Sequence, residues 1–310
     1  VTAVLLQVSL AFGIAACGTN VDATLARGVS PALHSASFME RTGRRMPLVY
    51  VADHKNNVVD VFDRRGQLQY TITSGLNAPV GLFVDARHNL WVANPGANNV
   101  LVFPHGSTTP IETISDSNQP NDVAVCRDGT AFIADSLNVG GIGVYPRGHT
   151  TPTRRLEAQE SGSGGLELFV TCDEAGNIFA TGFIGLSPFT ATTGWHHGWE
   201  SGYYLLPQDA WSSSGIKASR AGTLLIAKYA GSRPAVVEFT EAGKPTGSAI
   251  DTGSDLWSDI ALSANQNVVF GADTEQDVVV ARKFPKGAGA RKYTSSNLVQ
   301  PEGVAIDDGD

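Results

Sequence analysis

The sequence predicts an all-β fold: a six-bladed β-propeller with the C-terminal strand closing the blade begun by the N-terminus. Three observations predict it. A phrase of short β-rich runs returns six times, at steps of 41, 47, 46, 44 and 44 residues, and a period of roughly 40–50 residues marks a propeller blade. Turn residues recur at matching places between the runs. The chain stops at Asp310, just after the first run of a repeat whose other runs stand near residue 50. The two chain ends must therefore share a blade, which removes the exposed edges of a linear array.

The first run of each repeat reads PVGLFVD at 79–85, PNDVAVC at 120–126, ELFVTCD at 167–173, SSGIKAS at 213–219, WSDIALS at 257–263 and PEGVAID at 301–307. The second run follows as NLWVAN at 89–94, TAFIAD at 130–135, NIFATG at 177–182, TLLIAK at 223–228 and NVVFGA at 267–272. The third ends on a large residue: NVLVF at 99–103, GIGVY at 141–145, GYYLL at 202–206, AVVEF at 235–239 and VVVARKF at 278–284. Such β-branched and aromatic runs suit strands packed on both faces. DARHN, CRDGT and DEAGN separate first from second strands. Phe-Pro-His-Gly at 103–106, Tyr-Pro-Arg-Gly at 145–148 and Phe-Pro-Lys-Gly at 284–287 follow third strands, where Pro stops the ladder and Gly permits the bend. The closing blade takes PLVYVAD at 47–53 and NVVDVF at 57–62 from the N-terminal side and PEGVAID from the C-terminus.

Composition agrees with one domain over about 47–310. The chain carries 34 Gly and is 42% hydrophobic with 17% charged residues, which allows a large core and tight turns. Its formal net charge of −8 argues against nucleic acid or an anionic membrane surface as partner. Arg44-Arg45 and Arg64-Arg65 are too short to make basic patches and read as solvated turns.

Residues 1–17 read as a targeting segment. Val4–Ala16 is apolar, too short to span a bilayer, and ends in Ile14-Ala15-Ala16-Cys17-Gly18. This resembles the bacterial lipobox, which implies lipid on Cys17 and a place in the bacterial cell envelope, lipid-anchored, periplasmic or on the cell surface. The chain starts with Val, and no Lys or Arg precedes the apolar run, unlike the usual pattern; an apolar N-terminal strand with an ordinary cysteine is the competing reading. Residues 18–46, polar with scattered Gly and Pro, read as a tether. Cys126 and Cys172 sit one position apart in the register of consecutive repeats, so alternation points them to opposite faces. Two buried free thiols are expected over a disulfide, and no Cys-x-x-Cys or His/Cys spacing suggests zinc.

The motif P-x-G-V-A-V-D followed by G-x-I-Y-V-A-D resembles the NHL-repeat propellers and, more broadly, the gluconolactonase-like (TolB-like) six-bladed family that includes streptogramin lyases. The resemblance covers nearly all of 47–310. It speaks for fold more than activity, because that fold hosts lactonases, lyases, receptors and binding modules. In gluconolactonase-like members it implies a divalent metal at the channel mouth, held by Glu, Asn and Asp residues five positions before the strand-ending residue. That column here holds Val80, Asn121, Leu168, Ser214, Ser258 and Glu302. Glu302 matches the family glutamate phrase, and Asn121 matches a phrase that touches substrate or water. Leu168 cannot ligate, and Ser214 is a poor substitute for a carboxylate on a hard cation. The family's metal site is therefore expected to be incomplete. A shifted site using Asp122, Glu167 or Asp259, each one position off the column, stays open beside the reading of these acids as exposed loop caps.

The fourth blade carries an insertion, Phe183–Ser201, between its second and third strands. It places Trp195, His196, His197, Trp199 and Glu200 within six positions. Strand alternation puts this loop on the face where Asn121 and Glu302 begin their strands. There the rings could stack on a flat ligand, and the imidazoles or Glu200 could bind metal or move protons. The competing reading packs both tryptophans into a small local core. No nucleophile elbow, phosphate loop or dinucleotide fingerprint occurs.

Two function classes follow. The first is a membrane-tethered envelope propeller that binds a protein, peptide or glycan at its channel-mouth face. The alternative is a lactonase-like hydrolase or a lyase with a rearranged metal site built from Glu302, Asn121 and the 195–200 loop.

Overall fold

The structure is a computed structural model. It describes residues 45–116, 118–136, 141–156, 169–181, 185–191, 199–201, 204–205, 213–228, 235–251 and 257–309, with the backbone alone for 185–191, 199–201 and 204–205 and for the single residues 213, 228, 235 and 251. Cys17, residues 18–44 of the tether, and Trp195, His196 and His197 lie outside the described residues.

The described chain is all-β and forms a β-propeller. The first sheet orders Pro301–Asp307, Leu48–Asp53, Val58–Asp63 and Leu68–Ile72. The second is Leu82–Val84, Leu90–Asn94, Asn99–Phe103 and Glu112–Ser115, and the third is Pro120–Val125, Ala131–Asp135, Ile142–Tyr145 and Arg154–Leu156. The fifth is Ser213–Ala218, Thr223–Lys228, Ala235–Thr240 and Pro245–Asp251, and the sixth is Trp257–Leu262, Val268–Asp273, Val278–Lys283 and Ala290–Tyr293. These five sheets have the four-stranded form of a blade, where six such blades were expected. The fourth departs from it: Phe169–Cys172, Ile178–Thr181, Gly185–Ala191 and Trp199–Ser201 pair in order, and Tyr204–Leu205 also pairs with Gly185–Ala191, making five strands. The stretch read as an inserted loop thus supplies ladder strands. Gly185–Ala191 takes the third-strand place that the sequence reading assigned to GYYLL.

Each sheet buries both faces. In Leu48–Asp53 the alternate residues Leu48, Tyr50 and Ala52 pack with Leu90, Val92 and Phe103 of the second sheet. Val49 and Val51 point the other way, onto Phe270, Ala272 and Val279 of the sixth. A period of two with both faces buried is why these strands read as unbroken apolar runs. Full burial of such a side chain contributes about 1.5–3 kcal/mol. Trp257 fills the fifth–sixth core, its indole lying flat where a Cβ on Gly271 would have to be, so that position must be glycine.

The ends join as the repeat arithmetic requires. Pro301–Asp307 pairs antiparallel with Leu48–Asp53, running from Leu48 opposite Asp307 to Asp53 opposite Pro301. Asp307, buried at the end of this closing strand, also holds the second sheet. Its Oδ1 lies 2.8 Å from His88 Nδ1 and its Oδ2 2.6 Å from His105 Nδ1. Both histidines sit in turns that the sequence reading treated as punctuation.

The expectation of free thiols is corrected: Cys126 and Cys172 form a disulfide, with Cα atoms 5.6 Å apart. Strand alternation misleads here because Cys126 lies just beyond its strand, in the turn closed by Cys126 N–H to Thr130 O. Its direction is set by the turn and not by the pleat. The bridge joins the first strands of the third and fourth sheets at their ends.

Two outcomes follow from closure and cross-link. Burial pushes the Asp307 carboxyl up, but hydrogen bonds from His105, His88 and the Gly309 N–H outweigh it and hold its pKa below the ordinary value. A depressed folded pKa contributes stability that is present above the unfolded value, ~3.9, and lost as pH falls through the folded one. Asp307→Asn should lower Tm at pH 7, and the gap to the parent should close on acidification below about pH 4; a gap constant with pH would show that the charge is not what holds the strand. Replacing both Cys126 and Cys172 by Ser should cost ~2–4 kcal/mol in denaturant unfolding, with neither thiol labelled in the parent before reduction.

Candidate functional site

The channel is lined by the first strand of each sheet, and these strands pack neighbour to neighbour around it. Near their starts the ladders slip by one residue. The skipped residues are Asn121 between Pro120 and Asp122, Gly215 between Ser214 and Ile216, Ser258 between Trp257 and Asp259, and Glu302 between Pro301 and Gly303. A bulge re-aims its residue and ends regular pairing. Asn121 and Glu302 are therefore half-buried at the mouth and freed from the strand register, while Asp122 and Asp259, one position on, are fully enclosed.

Those two aspartates are not exposed loop caps. Asp122 Oδ2 accepts from Val170 N–H of the next sheet at 2.9 Å, and Asp259 Oδ2 accepts from Val304 N–H of the closing strand at 3.1 Å. Ser214 Oγ donates to the Trp257 carbonyl. Ser258 Oγ sits 3.1 Å from the carbonyl oxygens of Ala272, Pro301 and Glu302. Polar side chains at the strand starts thus tie the third inner strand to the fourth, the fifth to the sixth, and the sixth to the closing strand. Glycine makes room for the acids: a Cβ on Gly215 would stand 2.9 Å from Asp259 Oδ1, and one on Gly81 would collide with Asp122 Oδ1.

Lys217 completes this inner group. Its ammonium lies 4.0 Å from Asp259 Oδ1, with both side chains largely buried. Burial raises the Asp122 carboxyl to about 7, while Lys217 pulls it back down and Asp259 pushes it further up. Burial also raises Asp259, again opposed by Lys217. Lys217 Nζ and Asp122 Oδ1 have no hydrogen-bond partner among the described residues. The sequence reading missed Lys217. The signal was there: in the repeat register its position holds Phe83, Ala124, Thr171, Ala261 and Ala305, uncharged in every other blade.

At the mouth, Glu302 Oε1 accepts from Gln300 Nε2 at 2.9 Å, and Gln300 N–H donates to Asp277 Oδ1 at 2.7 Å. Burial raises the Glu302 carboxyl, countered by the Gln300 hydrogen bond and by His54. Asp53 caps the neighbouring turn through Asn56 N–H at 3.0 Å and holds Val299 N–H at 3.0 Å. Asn94 likewise accepts from Asn77 N–H. These second-strand ends are structural.

The residues present do not fit the divalent metal that the family resemblance implies. Ser214 spends its hydroxyl on a carbonyl, and Lys217 places its own cation beside Asp259 and within electrostatic reach of Asp122. A second cation there would be repelled. Among the described residues no cluster of three or more His, Cys, Asp or Glu could hold a metal ion. Leu168 and Glu167 lie outside the described residues. Trp199 and Glu200 lie in the strand Trp199–Ser201, opposite Ala191 and Thr190; their side chains are outside the description.

No family model matches this chain, and no curated protein matches it. Solved structures do. A chain of the nidogen/laminin complex superposes with a TM-score of 0.65 at 13% identity, covering 84% of this chain and 98% of its own. A catalytically inactive virginiamycin B lyase from Staphylococcus aureus with quinupristin gives 0.57 at 13% identity, covering 89% and 96%. Hydrazine synthase of Kuenenia stuttgartiensis gives 0.55 at 14%, covering 76% and 72%. At these identities the likeness speaks for the β-propeller fold alone.

Lys217→Met should cost ~3–5 kcal/mol, since it leaves two buried carboxylates without their cation. The sign with pH follows from the raised carboxyls. A raised folded pKa favours the fold below the unfolded value, and that advantage is lost as pH rises through the folded one, about 7 for Asp122. The deficit of Lys217→Met should therefore be larger at pH 8 than at pH 5 in thermal melts; an equal deficit at both would mean that Lys217 contributes packing rather than charge.

Proposed function

We propose that this chain is a membrane-tethered binding module of the bacterial cell envelope, anchored by lipid on Cys17. Its six sheets act as the blades of one ring, which holds a protein, peptide or glycan at the channel mouth. The observation that carries binding over metal-assisted chemistry is Lys217, a built-in ammonium among the carboxylates of the channel. What remains at the mouth is a set of polar groups suited to recognition: Asn121, Gln300, Glu302 and Asp277, with exposed Glu275 beside them. This rim is acidic and favours a partner that offers basic or amide side chains. The disulfide supports an extracytoplasmic location, because the cytosol keeps thiols reduced. Trp195, His196, His197, Trp199 and Glu200 are proposed as further contacts on the same face.

Metal analysis of the purified protein separates this reading from a hydrolase or lyase. The expected result is no stoichiometric divalent ion and no gain in Tm on adding one. Screening immobilised peptides and glycans should find a ligand whose retention falls about tenfold or more in Asn121→Ala with Glu302→Gln, at unchanged Tm. A tightly bound ion lost in Glu302→Gln would instead establish the enzyme reading.

A further inference from the structure

The face opposite the mouth carries a groove between the sixth and first sheets, with a volume of about 360 Å³. Its walls are the turns 263–267 and 284–289 of the sixth sheet and Arg64 of the first. Among the described residues four cations line it, Arg64, Arg282, Lys283 and Arg291, and no Asp or Glu does. This concentration stands out in a chain of net charge −8. The segment 282–293, RKFPKGAGARKY, holds five of the cations and no acid, so Lys286 and Lys292 extend the same field.

The groove is shaped as well as charged. Ala281, Ala288, Gly289 and Ala290 keep its wall low, which opens a path to the rings of Phe270 and Tyr293. These rings pack at 5.7 Å between centroids. The guanidinium of Arg291 is held in place by a hydrogen bond to the Arg64 carbonyl. Asp308 pairs with Arg64 beside the groove. Lys283 is exposed, with no acidic partner among the described residues. Asn267 adds an amide to the lining. An anchored guanidinium beside an exposed ammonium suits a compact oxyanion, with the planar fork giving paired hydrogen bonds and the ammonium a point charge. The low apolar wall takes the body that carries it.

From this geometry we propose that the groove is a second binding site, separate from the mouth, for a phosphoryl group borne on a small organic body. The body is either a soluble phosphorylated metabolite or the headgroup of a phospholipid. A phosphoryl group carries enough negative charge to draw on several cations at once.

The test uses the full chain at low ionic strength, with glucose 6-phosphate as the soluble probe, glucose as its control, and phosphatidylglycerol against phosphatidylcholine vesicles. Calorimetry should show glucose 6-phosphate binding and no glucose binding. Affinity should fall about tenfold or more in Lys283→Glu, whose side chain is exposed and outside the core. It should also fall in Ala288→Leu, which fills the groove without changing charge, and stay at the parent value in Lys55→Glu, an exposed cation on the mouth face. Should Ala288→Leu misfold, Lys283→Glu and Lys55→Glu decide alone. Sedimentation with phosphatidylglycerol vesicles in the absence of glucose 6-phosphate binding, lost in Lys283→Glu, would identify the headgroup as the source. Binding of neither probe overturns the proposal. So does an equal loss in Lys55→Glu, which would show net charge alone.

Discussion

The structure depends on one constraint: every sheet buries both of its faces. A sheet with two apolar faces has no stable place at the end of a stack, so the stack must curve until its ends meet. The pairing of Pro301–Asp307 with Leu48–Asp53 is that meeting, and a buried apolar core packs on either side of it. Asp307 strengthens the seam from outside the ladder. Its carboxylate reaches His88 and His105 in the second sheet, so the last strand is held by two sheets at once.

Closure also dictates what can line the channel. Inner strands that converge toward an axis lose neighbours near their starts, and the slips at Asn121, Gly215, Ser258 and Glu302 mark the places where the ladder gives way. The backbone groups released there need partners. Asp122, Asp259, Ser214 and Ser258 supply them across sheet boundaries. Two carboxylates enclosed for this purpose need a cation, and Lys217 provides it. A group that answers a structural need thereby decides what chemistry the channel can host.

The local charge on each face is set by its turns. Loops after second strands and before first strands, on the mouth face, carry acids such as Asp53, Glu275 and Asp277 that cap turns or stand exposed. Turns after first and third strands, on the opposite face, carry both signs, with Asp85, Asp128, Asp173 and Glu174 in some and Arg64, Lys283 and Lys286 around the groove. Charges far apart in the chain gather because equivalent turns of successive blades lie side by side. The propeller fold shared with nidogen and virginiamycin B lyase chains does not choose between partners.

Periodicity alone determined the class of fold, because a phrase repeated every 41 to 47 residues with the last repeat split between the chain ends has one economical arrangement. Alternation of apolar residues determined which runs are strands and that both faces are covered. The place of Asn121 and Glu302 near the starts of inner strands was legible because the repeat register counts positions from each strand end. Only the tertiary structure decided the rest. The Cys126–Cys172 bridge depends on a turn that leaves the pleat, which register counting cannot follow. The strand at Gly185–Ala191 depends on which of two β-prone stretches pairs with the second strand. Asp122 and Asp259 looked like solvated caps because burial is a property of neighbours, and theirs come from the next sheet. Lys217 and the groove around Lys283 escaped for the same reason: a charge is read in sequence against its neighbours along the chain, but its energy is set by the groups that folding brings within a few ångströms.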